Sequence, residues 1–353
     1  MAVHKLIIRA RQEGTPLLDG DSATFVWQGE RPPRIIGDFN GWDPNAAAQF
    51  QRVARGVWAY TLKLHPATYM EYVYISDDEE EARVDDPYNR RRISNGMGKF
   101  NHTFDMPACQ HTTLVRARAD IARGTLSKHT LEHPFFLAGG KRSVWLYQPP
   151  STEPAPLVIV FDGDDYLRRQ YICTILDNLI AQGRIRPLAL ALVAHGRQAR
   201  FLEYVASEAT LAWISEDVIE VAQKHLNLVD IQQHPGAFGV LGASMGGLMA
   251  LYAGLRMPAL FGQVISQSGA FQMEMMKPPP LIRQMIAHYA GAPLNIWMNC
   301  GLYEYLLSAN RAVRPLLSAH HVTYREYAGG HNPICWRDEL PHAFETLFPL
   351  QAG

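Results

Sequence analysis

The chain lacks any apolar run long enough to cross a bilayer as a helix. Its first residues, Met1-Ala-Val-His-Lys-Leu-Ile-Ile-Arg, contain neither a long apolar stretch nor a small-residue cleavage site. No membrane partner and no secretory signal are therefore expected, and the expected location is cytoplasmic. Cysteine is scarce. The four present, Cys109, Cys173, Cys300 and Cys335, are scattered without C-x-x-C pairing, which points to buried free thiols rather than disulfides or a zinc site. An excess of one charge is lacking too: 33 basic residues stand against 34 acidic ones, for a net charge of -1. That balance offers no electrostatic footing for nucleic acid or an anionic membrane surface. The acidic run Asp77 to Glu81 and the basic Arg90-Arg91-Arg92 read as solvated loops, and no internal repeat or low-complexity segment is found.

What is present is the material of a globular protein with a substantial core. The chain has 353 residues, 47% hydrophobic and 19% charged, enough for two domains or one large one. Its first hundred residues read as short strands. Ser22 to Gln28 alternates, Arg34-Ile-Ile-Gly37 leads into a turn, Gly56 to Leu62 alternates again, and Tyr69 to Ile75 is an aromatic and β-branched run. Turn residues at short intervals between them predict an antiparallel sandwich over residues 1–110. From Leu157 the texture changes. Leu157 to Phe161, Leu188 to Val193 and Phe238 to Leu241 are continuous apolar strands, with helical patterns at Tyr171 to Gln182 and Leu211 to Leu226 between them. Buried strands alternating with helices predict a mostly parallel sheet covered on both faces, over residues 136–353, after a linker at 111–135.

The most informative stretch is Gly239-Val-Leu-Gly242-Ala-Ser244-Met-Gly246-Gly-Leu248, in which an apolar run enters a Gly-x-Ser-x-Gly turn and a helical pattern leaves it. This is the local grammar of a nucleophile elbow, where a sharp strand-to-helix turn exposes the serine. A Cβ at Gly242 or Gly246 would collide with a neighbouring strand or helix. A serine hydroxyl is a weak nucleophile without a base to take its proton, usually a histidine oriented by a carboxylate. Of the 14 histidines, His331 stands out, because it follows Gly329-Gly330 just beyond the strand-like Val322 to Tyr327. His320 and His321 fall at the opposite end of that strand, and His342 falls in a terminal helix. In the order serine, acid, histidine, the carboxylate should follow the strand Leu294 to Asn299, which selects Glu304; Glu326 and Asp338 are the alternatives. The oxyanion donors expected are the N–H of Met245 and that of Gly163 or Asp164, in the loop after Leu157 to Phe161. A metal site at Asp162, Asp164 and Asp165 is not supported, since no matching histidine or carboxylate cluster accompanies them, and no cofactor is implied.

Two resemblances add to this reading. Gly37-Asp-Phe-Asn-Gly-Trp42-Asp-Pro44 closely resembles the signature of immunoglobulin-like E-set modules related to glycogen-branching and starch-binding domains, and the likeness extends over roughly residues 20 to 105. It implies carbohydrate binding through exposed aromatics, against the plainer reading that Phe39 and Trp42 pack the module. Residues from about 135 to 348 resemble the α/β-hydrolase family that includes enterochelin esterases and feruloyl-type carbohydrate esterases. The matching pieces are Gly140 to Pro150, Val160-Phe-Asp-Gly163, Ile175 to Ile180, Gly183 to Pro187, Gly242 to Gly247, Ser266-Gln-Ser-Gly269 and Gly329 to Arg337. Residue by residue, this resemblance carries Ser244 over as nucleophile, His331 as base and Glu304 as acid. Arg197, Arg200 and Trp336 are the substrate-binding candidates, with a structural tie from the arginine loop to Glu203 as the other reading. Two departures stand out: Tyr204 replaces the usual Leu after Glu203, and Asn332 replaces the Asp that often follows the histidine.

The expectation is therefore a serine carboxylic-ester hydrolase working through an acyl-enzyme on a small-molecule ester. By resemblance the ester is a siderophore trilactone; feruloyl or acetyl carbohydrate esters, or acyl transfer, are the alternative. A non-catalytic carbohydrate-binding protein is the reading from another class. No nucleic-acid partner is expected, and a homo-oligomer is open.

Overall fold

The computed structural model describes residues 2–76, 82–96, 98–272 and 281–350, so the acidic run Asp77 to Glu81 lies outside the described residues. The chain divides into two compact units, and the division does not follow chain order. One unit holds Met1–His111 together with Gly301–Tyr305 and Tyr327–Cys335; the other holds Thr112–Cys300, Leu306–Glu326 and Trp336–Gly353.

The first unit opens with a helix, α1 (Ala2–Glu13), which the reading in strands does not anticipate. Ten strands follow: β1 (Leu17–Asp19), β2 (Ser22–Gln28), β3 (Arg34–Gly37), β4 (Ala48–Gln49), β5 (Gln51–Ala54), β6 (Val57–Lys63), β7 (Tyr69–Ile75), β8 (Arg83–Val84), β9 (Arg92–Ser94) and β10 (Phe100–Asp105). They form a sheet in the order β1-β2-β6-β5 and another in the order β4-β3-β7-β10-β9, with β8 on β7. Alternation explains the core between them. Ala23 and Phe25 of β2 point inward and meet Met70, Tyr72 and Tyr74 of β7 with Phe104 of β10. The Phe25 and Tyr72 rings meet edge to face at 4.9 Å, a favoured aromatic geometry. β7 departs from a half-exposed strand, being buried at every position. Its second face carries Val73 and Ile75, covered with Ile36 by Trp42 and Ala47. Toward its start, Tyr69 forms a bridge with Gly329, and the Tyr69 N–H donates to the Ala328 carbonyl at 3.3 Å.

The second unit is built on one mixed sheet. Its strands are β11 (Thr125–Glu132), β12 (Lys141–Gln148), β13 (Leu157–Val160), β14 (Ala189–Val193), β15 (Phe238–Ala243), β16 (Phe261–Gln267), β17 (Asn295–Gly301) and β18 (His321–Tyr327), in the order β11-β12-β14-β13-β15-β16-β17-β18. The pairs β11–β12 and β12–β14 are antiparallel, and the pairs from β14 through β13, β15 and β16 to β17 are parallel. His321 N–H donates to the Leu294 carbonyl at the start of the last pair and Leu302 N–H to the Tyr327 carbonyl at its end, so β18 runs parallel to β17. The connecting helices are α2 (Gly163–Arg168), α3 (Ile172–Ala181), α4 (Arg200–Tyr204), α5 (Glu208–Trp213), α6 (Ile219–His225), α7 (Met245–Arg256), α8 (Leu281–Ala287), α9 (Leu307–Val313) and α10 (Pro333–Leu347). A π-helical turn at Ile214–Val218 joins α5 to α6 where one continuous helix is predicted.

The side-chain period of two shows that both faces of this sheet are buried. Leu157, Ile159 and Phe161 lie in one apolar cluster with residues of α5, α6 and α7, whereas Val158 and Val160 lie in the other with residues of α3 and α10. Each fully buried Leu, Ile or Phe contributes about 1.5–3 kcal/mol, so the strands that present the loops are the best-secured part of the unit. Among the described residues, no helix is long and apolar enough to cross a membrane.

Candidate active site

Ser244 stands between β15 and α7 with φ 59° and ψ -120°, a backbone conformation that a non-glycine residue adopts only under local constraint. Two crowded glycines supply it. A Cβ on Gly242 would lie 2.3 Å from the Gly246 carbonyl oxygen, and one on Gly246 would lie 3.2 Å from an Asp162 oxygen and 3.3 Å from the Phe161 Cβ. Only bare backbone lets the strand end and the helix start approach this closely. Main-chain bonds lock the turn: Ser244 N–H donates to the Gln267 carbonyl at 2.9 Å, and Ala270 N–H donates to the Ser244 carbonyl at 2.9 Å.

The end of β17 presents Glu304, whose side chain is wholly buried and fully used. Its Oε1 accepts from the Gly301 N–H at 3.0 Å and from the Tyr327 hydroxyl at 2.6 Å. Its Oε2 lies 2.7 Å from His331 Nδ1. An ionised carboxylate can only accept, so Nδ1 is the donor in this bond and Nε2 is the ring nitrogen that Glu304 does not hold. The other carboxylates considered from sequence are engaged elsewhere. Glu326 holds the Arg311 guanidinium at 2.7 and 2.6 Å, and Asp338 accepts from Arg337 and from the Thr112 N–H at 3.1 Å.

The third loop follows β13. Asp162 has φ 53° and precedes α2, so the N–H of Gly163 and that of Asp164 fall in a first helical turn, where no intrahelical carbonyl is available; Met245, first in α7, is in the same position. Gly163 permits the approach, since a Cβ there would sit 2.4 Å from the Leu192 carbonyl carbon. The three aspartates of this loop diverge toward separate partners. Asp162 takes both nitrogens of Arg200 at 2.7 and 2.6 Å, Asp164 accepts from the Trp145 indole at 3.1 Å, and Asp165 meets Arg169 at 3.3 Å. Among the described residues, the one group with metal-ligand donors close together is Asp105, Cys109 and His111, within 4.8 Å of one another.

Of the candidates for substrate contact, Arg197 is exposed with φ 54°, and among the described residues its guanidinium has no ion partner. Arg200 is half-buried and held by Asp162, and Trp336 donates its indole N–H to Ser268 Oγ at 2.9 Å. Glu203 is tied to a different arginine from those considered: Arg142 and Glu203 form a buried ion pair, and Glu203 also accepts from the Gly196 N–H at 2.7 Å. Sequence reasoning missed Tyr327 as a donor to Glu304. It also missed Asp38, buried at 1% exposure, which accepts from Asn332 Nδ2 at 3.1 Å beside His331. Both residues of that pair lay in motifs that drew attention for other reasons.

A family model described as "Putative esterase" matches residues 137–347. The chain is 28% identical to the iron(III) enterobactin esterase of Dickeya dadantii, over 95% of this chain and 90% of that protein. Its fold is similar to that of the ferric enterobactin esterase of Salmonella typhimurium, with a TM-score of 0.79 at 21% identity, covering 94% of this chain and 95% of the other. It is similar over a shorter span to a ferulic acid esterase of Anaeromyces mucronatus, with a TM-score of 0.54 at 15% identity, covering 67% of this chain and 94% of the other.

Proposed function

The chain belongs to this esterase family and is a carboxylic ester hydrolase, and from that premise we propose that Ser244, His331 and Glu304 are its catalytic triad and that its substrate is a siderophore ester of the iron(III) enterobactin kind. In this reading the Ser244 oxygen attacks the ester carbonyl while His331 Nε2 takes its proton, and the alcohol leaves with that proton as the acyl-enzyme forms. Water then enters with His331 again as base and releases the acid. Glu304 keeps the proton on Nδ1 and stabilises the imidazolium, and the N–H groups of Met245 and of Gly163 or Asp164 donate to the oxyanion.

The observation that carries the substrate choice is coverage. The likeness to the iron(III) enterobactin esterase of Dickeya dadantii extends over 95% of this chain, whereas the ferulic acid esterase accounts for 67%. An N-terminal part of this length is thus a feature shared with the siderophore esterase. We read that part, residues 1–110, as an E-set module, followed by a linker at 111–135, of which Thr125–Glu132 pairs into the second unit's sheet as β11, and the hydrolase domain at 136–353. A cytoplasmic location goes with this reading.

The test offers one preparation of enzyme iron(III) enterobactin and methyl ferulate side by side, with products followed by chromatography. The reading expects cleavage of the siderophore with a kcat/KM at least tenfold above that for methyl ferulate. Preference for the ferulate would overturn the substrate choice and leave the triad standing.

A further inference from the structure

The geometry points to Asp38 as a positioning residue for His331, holding the histidine loop from both sides; this rests on the reading of His331 as the general base. Within the first unit, Asp38 opens a short 3₁₀ turn after β3 and is 1% exposed. A buried carboxylate must have its oxygens occupied, and here the occupants are specific. Oδ1 accepts from the Trp42 indole N–H at 3.0 Å. Oδ2 accepts from the Glu71 main-chain N–H at 2.9 Å, on β7, and from Asn332 Nδ2 at 3.1 Å. One of these donors, the Glu71 N–H, fixes the carboxylate to β7, a second is the indole of Trp42 in the turn that follows Asp38, and the third comes from the residue after His331.

The residue before His331 is pressed on the same group. A Cβ on Gly330 would lie 2.1 Å from both Cβ and Cγ of Asp38, so the loop backbone rests directly on that side chain. His331 therefore sits between two residues seated on Asp38, with its imidazole held by Glu304 at 2.7 Å. Asn332 is bound at its other end as well: Oδ1 accepts from the Cys335 N–H at 3.0 Å, which caps the first turn of α10. One side chain thus links the helix start to Asp38. The glutamate loop is anchored similarly, since Tyr303 packs against the core of the strands and its hydroxyl oxygen accepts from the His65 N–H at 2.8 Å.

This arrangement accounts for an amide rather than a carboxylate at position 332. A carboxylate at that position would face the Asp38 carboxylate at hydrogen-bond distance, whereas the amide donates to it. Burial pushes the Asp38 carboxyl up to about 6, the three donors oppose that rise, and the nearby Glu304 charge adds to it.

The pair can be broken and rebuilt. Asp38→Asn turns an acceptor into a group with donors facing donors. Asn332→Asp retains an oxygen to cap α10 but sets two carboxylates together. Each single variant is expected to lower kcat for p-nitrophenyl butyrate about tenfold to a hundredfold through displacement of the base, with KM within twofold of wild type. The double variant D38N/N332D reverses donor and acceptor between residues 38 and 332, leaving the Glu71 N–H as the one donor unmet, and should recover at least tenfold over the poorer single variant. Asn332→Ala, measured with them, removes the link without repulsion and serves if either charge variant fails to fold. His331→Ala run in parallel separates the two claims. If it keeps activity, the base assignment and this inference fall together. If it abolishes activity while D38N and N332A stay within twofold of wild type, or the double variant shows only the product of the single losses, the positioning role alone is overturned.

Discussion

The turn at Ser244 and the loop at His331 are secured in opposite ways. The serine is held by backbone from its immediate surroundings: two glycines four residues apart and main-chain bonds to the ends of the adjacent elements. The histidine is held by side chains from far along the chain, Glu304 at 27 residues' separation and Asp38, through Asn332, at 294. A turn made from its own glycines can be read from five letters. A loop whose position depends on an aspartate in another part of the chain cannot, because its neighbours carry no mark of that partner. The geometry of the Ser244 turn is intrinsic to the second unit, whereas that of the His331–Glu304 pair is set within the first.

The sharpest way to break the comparison is at Ser244, the proposed nucleophile. Ser244→Ala should reduce turnover of p-nitrophenyl butyrate by about a thousandfold or more, with the melting temperature unchanged, because alanine at φ 59° is strained to the same degree as serine. Ser244→Gly should lose the same activity and gain about 1 kcal/mol of stability, since glycine adopts positive φ without strain. Denaturant titration of the two variants measures that difference. Equal stabilities would mean that the turn imposes no strain on residue 244.

Next in size is the histidine's partner. Glu304→Gln replaces an obligate acceptor by a group that can donate to Nδ1, which favours the wrong tautomer. Its kcat should fall about a hundredfold to ten-thousandfold while KM holds. Loss of KM with kcat intact would instead place Glu304 in substrate binding. Gly242→Ala tests the local side, because its new Cβ meets the Gly246 carbonyl oxygen, which cannot move without the helix. A loss of about 1–3 kcal/mol is expected, read from chemical denaturation.

These contrasts explain what could be read beforehand. The continuous apolar strands from Leu157 onward and the alternation at Ser22 to Gln28 were legible because burial on two faces or one writes itself into periodicity. The antiparallel partners of β12 were not, since an apolar strand does not record its neighbour's direction. Glu304, Glu326 and Asp338 look alike in sequence, and what separates them is the company each keeps: Arg311 claims Glu326, while Arg337 and the Thr112 N–H claim Asp338. Glu71, buried in the middle of β7, gave no sign that the segment bearing His331 would pack beside it, because that segment lies some 260 residues further along.

The two units also share a liability to acid. His102 of the first unit accepts from the Asp86 N–H at 3.0 Å, and His320 of the second accepts from the Leu294 N–H at 3.1 Å, so both rings are needed neutral. Burial lowers the pKa of each below its ordinary value. A depressed base contributes stability that is present above its unfolded pKa of about 6.5 and is lost as pH falls below it. Each histidine therefore contributes a decline in melting temperature from pH 7 to pH 5, against the opposite contribution of Asp38, whose raised carboxyl takes up its proton over the same range. His102→Gln and His320→Asn, which keep an acceptor and cannot take up the proton, should each flatten that decline. A slope identical to wild type in either variant would remove that histidine from the acid response.

The smallest effect is expected where a carboxylate looks important in sequence and sits on the surface. Glu326 ends the strand leading to His331, yet it faces Arg311 across an exposed edge, with the arginine side chain 56% exposed and the glutamate 24%. The bidentate bond to Arg311 holds the Glu326 carboxyl below the usual range, and the Tyr324 hydroxyl adds to this. Solvent screens such a pair, so it adds little to stability. Glu326→Gln should leave kcat for p-nitrophenyl butyrate within twofold of wild type and barely move the melting temperature, the shift shrinking further in high salt. A collapse of kcat in this variant, with Glu304→Gln near normal, would reassign the carboxylate proposed to serve His331 and undo the contrast between a locally built serine turn and a remotely held histidine.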